Sequence, residues 1–155
     1  IYYYLIENRE KMDLQLFIEE CRRAGIKVTP QRIGIFKILS DKSFHPTINE
    51  IYERAIADYP SLSLNTVYKT VQLFCELGFL SQFKSGEGIV RYEAKVQPHH
   101  HILCLKCNKI EDVFDESLDT IHLSKEKAGN FNILKHDVIF YGYCENCNKE
   151  RRISK

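Results

Sequence analysis

The sequence predicts an α+β chain of two small domains: an N-terminal winged helix-turn-helix domain and a shorter C-terminal α/β domain held by its cysteines. Three observations carry this. Up to Gly78, apolar residues recur at helical spacing between capping residues. From Phe79 the pattern shortens to strand-like runs on either side of Ser85-Gly86-Glu87-Gly88. Beyond these lie two C-x-x-C pairs, Cys104/Cys107 and Cys144/Cys147. At 155 residues there is room for one ordinary domain or two small ones. The expected boundaries are 1–94 for the first domain, 95–98 for a hinge and 99–155 for the second. The only methionine is Met12, so either Met12 is the natural start or residues 1–11 form an extra arm.

The elements follow in order. Leu14, Phe17, Cys21 and Ala24 mark a helix over residues 12–24 that ends at Gly25, with Cys21 as a small core hydrophobe. Thr29-Pro30 opens a second helix with a capping threonine and a proline at its first position, and Ile33, Phe36 and Leu39 form its buried stripe. Thr47 and Glu50 make a capping box for a third helix, with Ile48, Ile51, Tyr52, Ala55, Ile56 and Tyr59 on its apolar face and Pro60 as its stop. Ser63 caps a fourth helix over Leu64 to Leu77. Val67, Val71 and Phe74 face inward there, and Cys75 joins them. The opposite face carries Asn65, Thr66, Lys69 and Gln72 with Tyr68 at the boundary, groups suited to base edges and phosphates in a major groove. An ordinary solvated face looks much the same. A hairpin of Phe79 to Phe83 with Ile89 to Ala94 then completes the order of elements of a winged helix, which favours DNA.

In the second domain, His101 to Leu103 and Lys109 to Phe114 read as strands around the first C-x-x-C turn. Residues 115–128 read as a helix ending at Gly129 and carrying an exposed His122, and Phe131 to Tyr143 as β-rich. So short an α+β domain has little core, and zinc and dimerisation are both reasonable supports. Four thiolates in two C-x-x-C pairs suit tetrahedral zinc, because one tight turn presents both sulfurs of a pair to one ion. The alternatives are a disulfide framework or two independent redox pairs. No secretory signal favours the first, and no thioredoxin-like pattern favours the second.

Composition narrows the class. Hydrophobic residues make up 44% and charged residues 28%, which is globular rather than disordered. No apolar run is long enough for a membrane span, and the cysteine usage points to a reducing cytoplasm. Net charge is only +1, but Arg22, Arg23, Lys27, Arg32 and Lys37 form a basic stretch without acidic residues. Against an enzyme, no H-E-x-x-H occurs, and a closed four-thiolate site leaves zinc no open position. A zinc-stabilised interaction module without DNA affinity is disfavoured by the polar face from Asn65 to Gln72.

Specific segments give a family resemblance: Gly25-Ile26-Lys27-Val28-Thr29-Pro30-Gln31-Arg32, His45-Pro46-Thr47, Ser63-Leu64-Asn65-Thr66-Val67-Tyr68-Lys69-Thr70, Arg91-Tyr92-Glu93, His99-His100-His101 and both C-x-x-C pairs. Together they resemble the ferric uptake regulator (Fur) family across residues 12–150. The resemblance implies a winged-helix domain joined to a dimerisation domain, acting as a homodimeric repressor at a palindromic operator in double-stranded DNA. It implies structural Zn(II) on Cys104, Cys107, Cys144 and Cys147, and a regulatory Fe(II) or Mn(II), with Zn(II) able to substitute, on His45, Glu93, His99, His101 and Asp112. Imidazoles and carboxylates suit those ions, and His99 and His101 alternate onto one side of a strand. Tyr68 and Lys69 would lie near bases or phosphates, and Lys27 and Arg32 near the backbone or a minor groove.

Within the family, His45-Pro46-Thr47 and the segment around Asn65 are most similar to the peroxide-responsive (PerR) branch. There, hydrogen peroxide reacting at iron oxidises a ligand histidine, and by resemblance His45 or His99 would be that residue. Glu93 departs from this branch, which usually carries aspartate, and matches iron-sensing members, so iron sensing is the alternative. The iron-sensing branch has an additional metal site. Asp119 and His136 fit it, Pro98 and His100 replace its other two ligands, and His100, Asp119 and His136 remain as candidates.

Overall fold

The computed structural model describes residues 13–41, 44–94 and 98–153, and divides the chain into two compact units, 1–97 and 98–155. Residues 1–12, including the Met12 start or arm, and Lys95 to Gln97 of the expected hinge lie outside the described residues.

The N-terminal unit contains α1 (Leu14–Arg23), α2 (Pro30–Leu39), α3 (Ile48–Ala55), α4 (Leu64–Glu76) and an antiparallel hairpin of β1 (Leu80–Lys84) and β2 (Val90–Ala94). The helices begin where capping chemistry directs. Asp13 accepts from the Gln15 N–H, Thr29 from Arg32 N–H, Thr47 from Glu50 N–H and Ser63 from Thr66 N–H. Glu50 returns the bond to Thr47, completing the capping box. Gly78 leaves α4 at φ +73°, a left-handed turn that costs glycine little. Phe17, Phe36, Phe74 and Phe79 meet at the centre, with Phe17 stacked on Phe36 at 4.3 Å and edge-on to Phe74 at 5.0 Å.

Three helical expectations need correction. Ala24 is exposed, as the residue that closes α1. In α2 the buried residues are Gly34, Ile35, Phe36 and Leu39, with Ile33 only partly covered. That helix touches α1, α3, α4 and β2, so it is buried on more than one stripe. The third helix stops at Ala55 and not near Tyr59. The Asp58 and Tyr59 N–H groups both donate to the Ala55 carbonyl, tightening the last turn ahead of Pro60. The Tyr59 ring instead covers Gly34, where a Cβ would lie 2.3 Å from the ring.

The C-terminal unit is a three-stranded sheet in the order β4-β3-β5: β3 (His100–Cys104) pairs antiparallel with β4 (Ile110–Val113) and parallel with β5 (Ile139–Gly142). The expected helix over 115–128 is two separate turns, α5 (Glu116–Asp119) and α6 (Lys125–Ala128). Neither buries a residue, so packing does not sustain a longer helix, and Asp115 and Ser124 start the turns independently. Exposed His122 lies in the break between them. Of the β-rich stretch from Phe131 to Tyr143, only β5 pairs as a strand. A final helix, α7 (Glu145–Ile153), starts on the second C-x-x-C.

Candidate metal centres and nucleic-acid face

The tight turn after β3 and the start of α7 bring Cys104, Cys107, Cys144 and Cys147 together, their sulfurs all within 4.8 Å of one another. Cys107 Sγ and Cys144 Sγ are 3.7 Å apart. A tetrahedron with Zn–S of ≈ 2.3 Å has edges of about 3.8 Å, so the spacing fits zinc. All six cysteines are free thiols, which sets aside the disulfide framework. Backbone N–H groups, chiefly those of Cys107 and then Cys144, hold the Cys104 thiol down at about 6. Burial, reinforced by the neighbouring thiols, pushes Cys147 up to about 12. A cation among these sulfurs would complete the deprotonation that Cys104 begins. Away from this site, burial raises both Cys21 and, to about 11, Cys75, in keeping with core roles.

In the N-terminal unit, His45 and Glu93 are both buried, with Nε2 and Oε2 3.5 Å apart. Two such atoms bound to one ion at ≈ 2.1 Å would stand about 3.4 Å apart in a tetrahedron, so this pair suits one divalent cation. The sequence brings them together through the hairpin. Glu93 on β2 is registered against Ser81 on β1, whose hydroxyl donates to Glu93 Oε1 at 2.7 Å. The His45 ring packs on Phe83 at 5.8 Å. Arg91 Nη1 donates to the His45 carbonyl at 2.7 Å, and the Tyr92 N–H donates to the Pro46 carbonyl at 2.9 Å. Ser81 and Arg91 were not singled out from sequence as site residues. The available signal was that Arg91 stands two residues before Glu93 on one strand face.

In the C-terminal unit, His99 and His101 bracket β3's first residue, their rings 4.8 Å apart. Asp112, paired with His101 across β3 and β4, has Oδ1 3.9 Å from His99 Nε2 and 4.0 Å from His101 Nε2. Alternation sends His100 to the other face, where its Nε2 lies 3.2 Å from Asp119 Oδ1 and its ring stacks with His136 at 5.9 Å. The His100 Nδ1 accepts from the Val138 N–H at 3.3 Å, and His136 Nε2 is 2.7 Å from the Leu118 carbonyl. The Val138 N–H and the Leu118 carbonyl thus take up His100 Nδ1 and His136 Nε2, while His100 Nε2 faces Asp119.

On α4, Asn65, Thr66, Tyr68, Lys69 and Gln72 are all exposed. Thr66 Oγ1 shares a hydrogen bond with Ser63 Oγ at 2.8 Å, while Gln72 donates to Glu76. The Arg32 guanidinium, in the first turn of α2, donates to the Lys27 carbonyl and ties the two basic residues together.

The sequence matches the ferric uptake regulator family over residues 23–141. It is 31% identical to the peroxide-responsive repressor PerR of Staphylococcus epidermidis over 89% of this chain and 92% of that protein. The peroxide stress regulator of Campylobacter jejuni superposes with a TM-score of 0.58 at 30% identity, covering 88% of this chain and all (100%) of that one. The Helicobacter pylori ferric uptake regulator shares the fold, with a TM-score of 0.71 at 22% identity over 87% and 91% of the two chains. This chain belongs to the ferric uptake regulator family of metal-dependent transcriptional regulators, which are not enzymes.

Proposed function

We propose that this protein is a peroxide-responsive repressor. In this reading one Fe(II) or Mn(II) is held jointly by His45 and Glu93 from the N-terminal unit and by His99, His101 and Asp112 from the C-terminal unit. The observation that carries it is the pair of half-sites. Each unit supplies a cluster of imidazole and carboxylate suited to a divalent ion, and neither alone offers a full coordination shell. An ion shared between them favours one orientation of the two domains, so that metal and DNA binding are linked reciprocally.

Regulators of this family bind DNA as dimers. Exposed Phe131, Ile133, Leu134, Phe140 and Tyr141 supply apolar surface for a second copy to cover. The dimer would present two α4 helices to the half-sites of a palindromic operator. Asn65, Thr66, Tyr68 and Lys69 would meet the groove, and Lys27 and Arg32 the backbone. Zn(II) on the four cysteines would hold the C-terminal unit together. Bound Fe(II) would supply the electron that cleaves hydrogen peroxide, with His45 or His99 as the imidazole oxidised. His100, Asp119 and His136 remain candidates for an additional metal site, with His100 Nε2 already 3.2 Å from Asp119 Oδ1.

Glu93 favours a second reading, an iron-responsive regulator, because this carboxylate is what the iron-sensing pattern carries. Duplexes selected from a random pool by the Mn(II)-loaded protein would serve as the probe. Anaerobic gel shifts with Fe(II) and with Mn(II), before and after a low dose of hydrogen peroxide, separate the readings. Peroxide sensing predicts that only the Fe(II) form releases DNA and gains one oxygen on His45 or His99. Survival of both forms, with binding that tracks free Fe(II), supports iron sensing instead. If neither metal promotes DNA binding, both readings fail.

A further inference from the structure

We infer that Ser81 and Arg91 are positioning residues that set the His45–Glu93 half-site before an ion arrives. The inference rests on the ligand assignment proposed above.

The geometry begins with the register of the hairpin. Ser81 stands opposite Glu93 and Phe83 opposite Arg91, so these four side chains share one face of the β1–β2 ribbon. Ser81 engages Glu93 Oε1 at 2.7 Å and leaves Oε2 turned toward His45 Nε2 at 3.5 Å. A glutamate has one more rotatable bond than an aspartate, and a donor on one oxygen removes much of that freedom. Glu93 is thereby prepared to offer one oxygen rather than two.

Arg91 acts on the other ligand. Its Nη1 holds the His45 carbonyl at 2.7 Å and lies 3.4 Å from Glu50 Oε2. That same Glu50 oxygen accepts from the Thr47 N–H at 2.7 Å in the capping box of α3. The Tyr92–Pro46 backbone bond secures the residue between them. The segment 45–47 is therefore stitched to β2 at consecutive residues, and the ligand ring and the start of α3 share one anchor. Groups that orient metal ligands in this way commonly account for ~10–100-fold in affinity.

The test uses the full chain with zinc retained on the cysteines. Mn(II) is titrated by competition with a chelating dye, and Co(II) is followed by its visible absorption. Ser81→Ala is expected to weaken Mn(II) binding about tenfold or more. It should also alter the Co(II) bands, as Glu93 becomes able to bind through both oxygens, while leaving the unfolding temperature of the ion-free form unchanged. Ser81→Thr, which keeps the hydroxyl, should restore the affinity. Arg91→Gln should weaken Mn(II) binding and Arg91→Lys should recover part of it. Wild-type titration of Ser81→Ala, with loss of the ion in Glu93→Ala, overturns the positioning role alone. If Glu93→Ala also retains wild-type affinity, the ligand assignment fails and takes the positioning role with it.

Discussion

Cys144→Ser removes one corner of the four-sulfur cluster, and the packing shows how much that corner carries. The apolar core cluster lies entirely within the N-terminal unit, from Phe17 to Tyr92. Among the described residues of the C-terminal unit, the buried apolar ones are Leu103, Cys104 and Cys147, and two of these belong to the cluster itself. Full burial of one leucine is worth about 1.5–3 kcal/mol. Structural zinc in small domains supplies ~10–16 kcal/mol of apparent binding free energy, which becomes folding free energy where no site exists in the unfolded chain. Such an ion on the four sulfurs would therefore outweigh the burial of Leu103 several-fold. Cys144→Ser and Cys104→Ser are expected to lose zinc, to expose the C-terminal unit to limited proteolysis and to sediment as monomers. The N-terminal unit, with its own aromatic core, should remain resistant. A zinc-free Cys144→Ser protein with a protease-resistant C-terminal unit and an intact dimer would mean that packing alone holds this unit.

Further outcomes follow from single contacts. Gly34→Ala places a methyl 2.3 Å from the far end of the Tyr59 ring. Strain of about 1–3 kcal/mol is offset by about 1 kcal/mol of helix propensity, so thermal unfolding should show a small net loss that Tyr59→Leu in the same chain reverses. Cys75 is raised to about 11 by burial and by Glu76, so alkylation of the native protein at this thiol should stay slow near neutral pH and rise only as pH approaches that value. The stability it contributes is complete below the ordinary thiol value of 9.0 and is lost as pH climbs through about 11, because the unfolded chain releases the proton first. Lys69→Ala should weaken DNA binding across sequences and reduce the slope of affinity against salt by about 1, whereas Tyr68→Ala should leave that slope nearly unchanged.

The N-terminal helices were legible because their starts are written in single residues. Thr29, Thr47 and Ser63 each cap the helix that follows, and the apolar spacing supplies the rest, whereas the Asp13 cap of α1 was not read from the sequence. The hairpin was legible through its Gly86–Gly88 turn, and the four-cysteine cluster through its double spacing. The C-terminal unit was read less well for a physical reason. Its elements are too short to show a period, and α5 and α6 bury nothing that would impose one. Helix α7 carries almost only polar residues after Cys147, so no apolar stripe marks it in the sequence. Neither Ser81 nor Arg91 could be assigned a partner without the strand register, which no local pattern specifies. Tyr59 was placed on a helix it does not belong to, since its partner Gly34 is remote in sequence.

In the function proposed for this protein, one ion shared by ligands from both units controls access to DNA. Its most direct test is operator affinity as a function of Mn(II) for the wild type and for His99→Ala, with sedimentation and zinc content measured on the same samples. His99→Ala is expected to remain a folded, zinc-loaded dimer that no longer gains DNA affinity from Mn(II). A His99→Ala dimer with full Mn(II)-dependent affinity would contradict that role of the ion.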